Sequence, residues 1–242
     1  MKGIILAAGK GTRLLPCTKV TNKTLLPVYN KPMICYPLET LRSAGIKEVM
    51  IVINERDASA FKRLLGNGKE WKLEHIEYIV QNNRLGSADA LRITERFANK
   101  EKIILIFGDN IIEESIKKDV EIFKKQTGGA RFFLKKVEDP CRFGIAEIKD
   151  DKIISVEEKP KNPKSNLAIA GVYMYDKQVF DIIRTIKPST RGEYEITDIN
   201  NFYVKNDIVT YRILNKFLSD AGTFKSLHQA ACFMANKQNK TI

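Results

Sequence analysis

Short apolar runs alternate with amphipathic segments through the first half of the chain. Apolar runs of strand length occupy residues 3–7, 48–53 and 102–107, and residues 73–80 alternate as a strand does. Helical periodicity lies between them at residues 33–44, 56–65 and 86–98. Gly45 ends the first of these helices, and a turn at residues 66–68 ends the second. Strands that alternate with helices form a parallel sheet with helices on both faces, so the pattern predicts an α/β fold.

The second half of the chain is richer in strands. The pattern predicts strands at residues 130–137, 144–148, 152–157, 167–175 and 208–214, with helices at residues 177–186 and 224–235. No internal repeat or low-complexity linker interrupts the sequence. We therefore expect a single domain over residues 1–242. Its sheet should be mixed, mostly parallel and Rossmann-like, and its second half should supply a lid over a pocket.

Size, charge and cysteine content narrow the class of protein. A chain of 242 residues, 43% of them hydrophobic, can bury a full core. The 41 basic and 29 acidic side chains leave a formal net charge of +12, which favours polyanionic partners such as nucleic acid or phosphorylated small molecules. The four cysteines are scattered, and the N-terminal apolar run is too short for a signal peptide or a membrane span. We expect a cytoplasmic protein that binds no membrane.

The segment after the first strand carries the clearest candidate chemistry. Residues 7–13, AAGKGTR, place small residues where backbone N–H groups can approach an anion. Arg13 adds a planar, permanently charged guanidinium, and Lys23 adds a point charge. A P-loop needs Ser or Thr at Gly11, and the dinucleotide fingerprint needs Gly or Ala at Leu14, so both are excluded. Residues 7–13 are called the phosphate-binding loop below.

Residues 6–34, LAAGKGTRLLPCTKVTNKTLLPVYNKPMI, resemble the opening of the sugar-phosphate nucleotidyltransferases, and most closely that of the glucose-1-phosphate thymidylyltransferases. The sequence departs from the family pattern at Ala8, usually Gly, and at Thr24, often Gln. Two more family motifs follow in order, EEKP at residues 157–160 and RGEYEITD at residues 191–198. The resemblance covers nearly the whole chain and implies the nucleotide-diphospho-sugar transferase fold. Residues 1–128 would form its nucleotide-binding half, and residues 129–242 its sugar-phosphate half with a closing helix.

This resemblance implies a reaction and a set of site residues. The reaction is nucleotidyl transfer from dTTP to glucose 1-phosphate, which yields dTDP-glucose and pyrophosphate and depends on Mg²⁺. The residues implied to be catalytic are Arg13, Lys23 and Lys159. Those implied to bind the nucleotide are Leu6, Ala8, Gly9, Gly11, Thr12, Arg13, Gln81, Gly86 and Asp109. Those implied to bind the sugar phosphate are Phe143, Gly144, Glu158, Lys159, Ile169, Gly171 and Tyr173.

Two aspartates are candidates for holding the metal. Asp109 follows the buried strand at residues 102–107, and the carboxyl end of a parallel strand is where ligands bind in such sheets. A single carboxylate at that place suits either Mg²⁺ or the cap of a following helix. Asp220 lies in LSDAGT, which by itself is a common turn and helix N-cap. That run resembles the family pattern W-x-D-x-G-T with Leu218 in place of Trp. The resemblance implies that Asp109 and Asp220 together hold one Mg²⁺.

Sugar recognition is assigned to motifs in the second half. By itself EEKP is a solvated charge run before a proline, but the resemblance makes Lys159 the contact to the sugar phosphate and Glu158 an acceptor for sugar hydroxyls. DPCRFG at residues 139–144 and AGVYMYD at residues 170–176 resemble walls of the hexose pocket. We expect RGEYEITD to position a loop and helix beneath that pocket.

Base recognition falls on Gln81 and Gly86. A glutamine amide has one acceptor and two donors, enough to meet a base edge with an N3–H and a carbonyl. Residues 81–90, QNNRLGSADA, lack the two prolines and the second glutamine of the family segment. The sequence therefore favours a pyrimidine and leaves thymine and uracil open.

Three alternatives remain at this stage. The first is a uridylyltransferase or a transferase for another hexose 1-phosphate. The second, suggested by the charge, is a nucleic-acid-binding protein, although the lysines are dispersed and no base-stacking motif is present. The third is a non-catalytic nucleotide-sugar sensor. The resemblance further implies a homo-oligomer. Longer family members carry an extra C-terminal helical segment linked with feedback regulation, which we expect to be absent or rebuilt here.

Overall fold

A nine-stranded mixed sheet forms the centre of the computed structural model, which describes residues 1–83 and 85–239. The strands are β1 (Lys2–Leu6), β2 (Pro27–Val28), β3 (Lys31–Pro32), β4 (Glu48–Ile53), β5 (His75–Val80), β6 (Ile103–Phe107), β7 (Ile111–Ile112), β8 (Ala130–Lys136), β9 (Gly144–Lys149), β10 (Lys152–Glu158), β11 (Leu167–Tyr175), β12 (Val209–Ile213) and β13 (Leu218–Ser219). The helices are α1 (Cys35–Ser43), α2 (Ala58–Leu65), α3 (Ser87–Arg92), α4 (Glu95–Ala98), α5 (Lys117–Lys125), α6 (Val179–Ile183), α7 (Ile196–Lys205) and α8 (Phe224–Asn239).

The sheet joins a parallel half to a largely antiparallel half. Its main path is β10-β9-β11-β6-β1-β4-β5, with β8 paired to β11 and β12 paired to β8. Strands β6, β1, β4 and β5 run parallel, as the alternation of strands and helices predicts. Strand β11 connects the halves because it runs antiparallel to β6 and also pairs with β8 and β9. The predicted α/β class with a mixed, Rossmann-like sheet is confirmed.

Both faces of the sheet are apolar. In β6, Ile103 and Leu105 belong to one core cluster, and Ile104 and Ile106 to the other, because successive side chains of a strand point to opposite faces. Helices α3, α4, α6 and α7 cover the first cluster, and α1, α2 and α5 cover the second. A strand buried on both faces must be apolar at every position, which explains the continuous run IILIF.

Helix α8 packs away from the main sheet. It contributes Ala230 to a third apolar cluster that also contains Val28 of the β2–β3 hairpin and Tyr36 of α1. Phe217 and Phe233 stack with ring centroids 3.9 Å apart, which ties the segment before α8 to the helix itself. This packing holds the chain on both sides of residues 218–223, the segment that carries Asp220.

Two helices differ from the predicted pattern. The helix predicted over residues 86–98 is divided into α3 and α4, because the hydroxyl of Thr94 donates to the Leu91 carbonyl at 2.7 Å and competes with a continuous helix. Helix α5 was not predicted, although Ile116, Val120 and Phe123 recur at helical spacing and are buried; Asp119 is buried beside them. That carboxylate is 2% exposed and pairs with Arg131 at 2.7 Å and Arg212 at 2.6 Å. A buried ion-pair network thus accompanies the apolar contacts of this helix.

Candidate active site

Three segments that follow parallel strands lie at one edge of the sheet. Strand β1 leads into the phosphate-binding loop, β5 into Gln81 and β6 into Asp109. Leu6 lies opposite Phe107 in the register, and the N–H of Gly108 donates to the Leu6 carbonyl at 2.9 Å. In open α/β sheets, ligands bind outside the carboxyl ends of the strands. This edge therefore brings the predicted phosphate-binding residues beside a predicted metal ligand.

The phosphate-binding loop is anchored by the buried side chain of Asn22. Its Nδ2 donates to the Ala7 carbonyl at 2.8 Å, and its Oδ1 accepts from the N–H and the hydroxyl of Thr24, both at 2.9 Å. Gly11 has a φ of +64°, and a Cβ there would lie 2.9 Å from the Cβ of Lys23. Only glycine fits both the conformation and the space. The loop and Lys23 are thereby held in a fixed relation.

Lys23 and Asp109 form an ion pair across this edge. The Nζ of Lys23 donates to Oδ2 of Asp109, which is 7% exposed. The Nδ2 of Asn110 donates to the other carboxylate oxygen at 3.3 Å. A buried carboxylate is costly unless it is paired, so the protein supplies its own cation to Asp109.

A cleft of about 640 Å³ extends from this edge to the antiparallel half of the sheet. It is lined by the three predicted catalytic cations, both predicted metal aspartates and all predicted sugar-phosphate residues: Arg13, Lys23, Asp109, Phe143, Gly144, Glu158, Lys159, Ile169, Gly171, Tyr173 and Asp220. Its volume lies within the range of roughly 300–1,000 Å³ that is usual for small-molecule sites. Residues from both halves of the chain therefore meet in one cavity.

The other predicted nucleotide-binding residues are not among those that line this cleft: Leu6, Ala8, Gly9, Gly11, Thr12, Gln81 and Gly86. The first five lie at the end of β1 and in the phosphate-binding loop, and Gln81 directly follows β5. Gln81 is 7% exposed, and its Nε2 donates to the carbonyl of Gly86 at 3.2 Å. Arg84, in the same segment, lies outside the described residues.

Asp220 lies near two arginines. The Nη2 of Arg142 is 3.6 Å from Oδ2 of Asp220. A Cβ on Gly222 would lie 3.1 Å from Nη2 of Arg13 and 3.6 Å from the same Asp220 oxygen, so Arg13 reaches this corner as well. Within residues 1–83 and 85–239, the buried Nη2 of Arg142 has no hydrogen-bond acceptor. A buried donor without an acceptor is costly, which suits a site that receives an anion.

Glu158 is the best-oriented carboxylate on the sugar side. Its Oε2 accepts a hydrogen bond from the Thr197 hydroxyl at 2.6 Å, and a Cβ on Gly144 would lie 3.2 Å from that oxygen. Its Oε1 is 3.5 Å from Nζ of Lys159 and 3.8 Å from Nη2 of Arg191. One carboxylate, one hydroxyl and two cations therefore converge where the resemblance places the sugar phosphate.

Charged neighbours and burial shift the pKa values of groups around Glu158. Burial alone would lower the pKa of Arg191, but its hydrogen bond and ion pair with Glu195, at 2.7 Å, outweigh that effect and raise it. Burial, followed by the charges of Glu195 and Glu158, raises the pKa of Asp198. Burial also raises the pKa of Tyr173, and the charge of Glu158 adds to the shift, so its hydroxyl stays neutral. Arg191 thus keeps its charge, and Tyr173 can donate a hydrogen bond.

Comparison with known proteins places this cleft in an enzyme family. The family model described as nucleotidyl transferase matches residues 2–237. The chain belongs to the nucleotidyl transferase family. A glucose-1-phosphate thymidylyltransferase from Neisseria meningitidis is 42% identical over 99% of this chain and 84% of its own length. The enzyme of that name from Mycolicibacterium smegmatis is also 42% identical, over 97% of this chain and 82% of its own length.

Two solved structures share the fold of this nucleotidyl transferase. One is a crystal structure of a Bacillus anthracis protein assigned as a glucose-1-phosphate thymidylyltransferase, in complex with sucrose. Its TM-score is 0.92 and its sequence identity 45%, over 96% of this chain and 94% of its own. The other is a UDP-glucose pyrophosphorylase complexed with UDP-glucose, with a TM-score of 0.85 and 24% identity over 98% of both chains. The predicted family and fold are confirmed. Family membership favours a transferase over the nucleic-acid-binding and sensor alternatives.

Three residues of this nucleotidyl transferase were not assigned to the site from sequence. Arg142 and Thr197 line the cleft, and Arg191 reaches Glu158 from beside it. All three lie in motifs that the sequence analysis identified, DPCRFG and RGEYEITD, but whose expected role was to form a wall or to position a loop. The signal was therefore present in the sequence, and only the distances identify these side chains as parts of the site.

Proposed function

We propose that this protein transfers the thymidylyl group of dTTP to glucose 1-phosphate, giving dTDP-glucose and pyrophosphate. The observation that carries the proposal is the cleft itself. It combines cations at the phosphate-binding edge, an acidic pair and a sugar-side carboxylate, in a chain 42% identical to glucose-1-phosphate thymidylyltransferases over nearly its full length. A site for two anionic substrates needs positive charge at both ends, and Arg13, Lys23 and Lys159 provide it.

The reaction is a displacement at the α-phosphorus of the triphosphate. An oxygen of the sugar phosphate forms a bond to that phosphorus, the bond from it to the oxygen bridging to the β-phosphorus breaks, and pyrophosphate leaves with the electron pair. The attacking phosphate is largely dianionic at neutral pH and needs no general base. Catalysis is then mainly positioning and charge stabilisation. In this scheme Arg13 binds the departing pyrophosphate, Lys23 contacts the triphosphate and Lys159 orients the attacking phosphate.

Asp109 and Asp220 suit a single Mg²⁺. Hard carboxylate oxygens are the ligands this ion prefers, and it commonly takes one or two from the protein and the rest from water and phosphate. Both carboxylates line the cleft, so this donor set suits an ion whose coordination water and substrate complete. When bound, Mg²⁺ would neutralise charge on the phosphate oxygens.

Arg142 supplies a further contact for the nucleotide phosphates. Its buried Nη2 has no acceptor within the described residues and lies beside Asp220 and Arg13. A guanidinium presents donors in a planar fork that matches phosphate oxygens. We infer that this donor gains its acceptor when the triphosphate binds.

Replacing Glu158 by glutamine should raise the KM for glucose 1-phosphate. The glutamine lacks the negative charge that accepts hydrogen bonds from sugar hydroxyls. One of its two polar atoms is also a donor, whereas both carboxylate oxygens of Glu158 are acceptors. A hydrogen bond to a charged group is worth about 10–100-fold in affinity, so we expect a KM increase of that order with a smaller change in kcat. Steady-state kinetics with varied sugar phosphate measure it.

The exposed neighbour Glu157 provides the matched control. Glu157→Gln makes the same chemical change on the same strand, β10, and should leave the KM close to the wild-type value. Equal effects of the two substitutions would show that Glu158 does not bind the sugar.

A substrate grid tests the proposed function directly. Pyrophosphate release would be measured for dTTP, UTP, CTP, GTP and ATP, each with several hexose 1-phosphates. We expect dTTP with glucose 1-phosphate to give the highest kcat/KM. A maximum for UTP, or for another hexose 1-phosphate, would replace the proposal with the same-class alternative, and no pyrophosphate from any pair would refute transfer itself.

Assembly and location stay predictions. The family resemblance implies a homo-oligomer. Light scattering of the purified protein would measure the molar mass of the assembly and hence the number of subunits. The cytoplasmic location is expected from the scattered cysteines and the short N-terminal apolar run. Among the described residues, no helix combines the length and the apolar character needed to cross a bilayer.

A further inference from the structure

Gln81 has only one polar atom left for a ligand. Its Nε2 donates to the carbonyl of Gly86 at 3.2 Å and to Oδ2 of Asp89 at 3.0 Å. A carbonyl and a carboxylate can only accept, so the NH₂ group must face them, and the surrounding network determines the orientation of the amide. No residue within 1–83 and 85–239 donates a hydrogen bond to Oε1 of Gln81. The sequence suggests an acceptor and two donors here, whereas the fold leaves only the acceptor.

Asp89 is held firmly in this arrangement. It is 4% exposed, and its Oδ1 accepts from Nε of Arg92 at 3.1 Å and from Nη2 at 2.7 Å. Because the guanidinium occupies Oδ1, the other oxygen is left to accept from Gln81. Asp89 stands where the family segment has its second glutamine, so this pair is a departure of this chain from the family pattern.

The Gly86 carbonyl is equally constrained. Gly86 has a φ of +108°, and a Cβ there would lie 2.5 Å from the carbonyl oxygen of Tyr194. That carbonyl oxygen accepts a hydrogen bond from the N–H of Ala88 at 3.0 Å. The N–H of Tyr194 in turn donates to the Leu85 carbonyl at 2.6 Å. The backbone of the RGEYEITD segment thus fixes the second acceptor that faces Gln81.

We propose that Asp89 is a positioning residue that sets the base specificity of this enzyme, by holding Gln81 with its Oε1 towards the base. An acceptor at that place selects a base that carries an N3–H, which thymine and uracil have. Cytosine presents an unprotonated N3, which would oppose another acceptor. The inference rests on the proposed function and on the expectation from the sequence that Gln81 meets the pyrimidine base. It also predicts that this contact does not separate thymine from uracil.

The test is the substitution Asp89→Asn. Arg92 keeps the side-chain oxygen, so the new NH₂ group faces Nε2 of Gln81, donor against donor. Rotation of the Gln81 amide removes that conflict and turns Nε2 towards the base, at the cost of the hydrogen bond from Nε2 to the Gly86 carbonyl. Sites built on hydrogen bonds reject a mismatched analogue by roughly 10⁴-fold. We therefore expect the wild type to prefer dTTP over dCTP by about 10³-fold or more in kcat/KM. The variant should lose about 10–100-fold of that preference.

Asp181→Asn is the matched control. Asp181 pairs with Arg184 at 2.6 Å with the same spacing of three residues, but its side chain is 82% exposed and it lies on α6. This variant should keep the wild-type ratio of dTTP to dCTP. A purely structural role for Asp89 would lower turnover of both nucleotides equally and leave the ratio unchanged, and that result would overturn the inference.

A second measurement needs no variant. The triphosphate of N3-methylthymidine lacks the N3–H, so the wild type should use it at least about 10²-fold less well than dTTP. Equal use would overturn the inference even if Asp89→Asn does not fold. A failure of the proposed function looks different, because dTTP itself would then release no pyrophosphate in the presence of glucose 1-phosphate.

Discussion

Replacing Arg13 by alanine should lower kcat/KM for pyrophosphate release by about 10²–10³-fold, the loss typical of removing a preorganised charge donor from a transition state. Arg13 is exposed in the cleft, and its guanidinium lies at the corner formed by Gly222 and Asp220. Because the side chain of Arg13 is exposed, the fold should survive the substitution. In the reverse reaction the KM for pyrophosphate should rise, because Arg13 is assigned to that product. Kinetics in both directions, with a thermal unfolding curve, measure these effects.

Lys10→Ala is the matched control for this prediction. Lys10 is an exposed cation of the same phosphate-binding loop and does not line the cleft. The control removes the same unit of charge and should change kcat/KM by only a few fold through long-range electrostatics. If Arg13→Ala turned over like Lys10→Ala, the assignment of Arg13 to the pyrophosphate would be wrong.

Replacing Asp109 by asparagine should abolish most turnover and weaken metal binding. The substitution keeps the shape of the side chain and removes the charge that pairs with Lys23 and is proposed to hold Mg²⁺. We expect a loss of about 10³-fold in kcat/KM, because charge stabilisation is the main catalytic term in this reaction class. Binding of Mn²⁺ in the presence of dTTP, without sugar phosphate, is followed by electron paramagnetic resonance and should weaken in parallel.

The control is Asp150→Asn in an exposed turn. It makes the same change of charge and should leave both turnover and Mn²⁺ binding at the wild-type level. Full Mn²⁺ binding by Asp109→Asn together with low activity would assign Asp109 to the alignment of Lys23 instead of to the metal. Normal activity of Asp109→Asn would remove it from the site altogether.

The parallel half of the fold was predictable from local pattern. Strands β1, β4 and β6 are apolar runs, since strands buried on both faces must be apolar at each position, and the edge strand β5 shows the alternation of a half-exposed strand. Since parallel strands end at one edge, the placement of the phosphate-binding loop and Asp109 at the ligand-binding edge followed from the pattern, and the structure adds that β1 and β6 are adjacent there. Helix α5 was missed although its apolar residues Val120 and Phe123 have helical spacing; the partners of its buried Asp119, Arg131 and Arg212, lie outside the helix.

Side-chain partnerships between residues far apart in the sequence could not be predicted in this way. Thr197 contacts Glu158 across 39 residues, and Arg142 approaches Asp220 across a longer separation. Neither pair has a local periodicity that would indicate it. The family resemblance gathered most of these residues into motifs, but it did not say which side chains touch.

The amino-acid sequence by itself determined the family, the α/β class and nearly every residue type from which the site is made, because these depend on local pattern and on motif order. Only the tertiary structure decided how those residues are used. Packing β11 against β6 brings the sugar-side residues to the phosphate-binding edge. Packing α3 beneath Gln81 consumes both amide hydrogens of that side chain, since its neighbours there are an aspartate and a carbonyl. Hydrogen-bond direction depends on which groups meet in space, and no property of Gln81 alone contains that information.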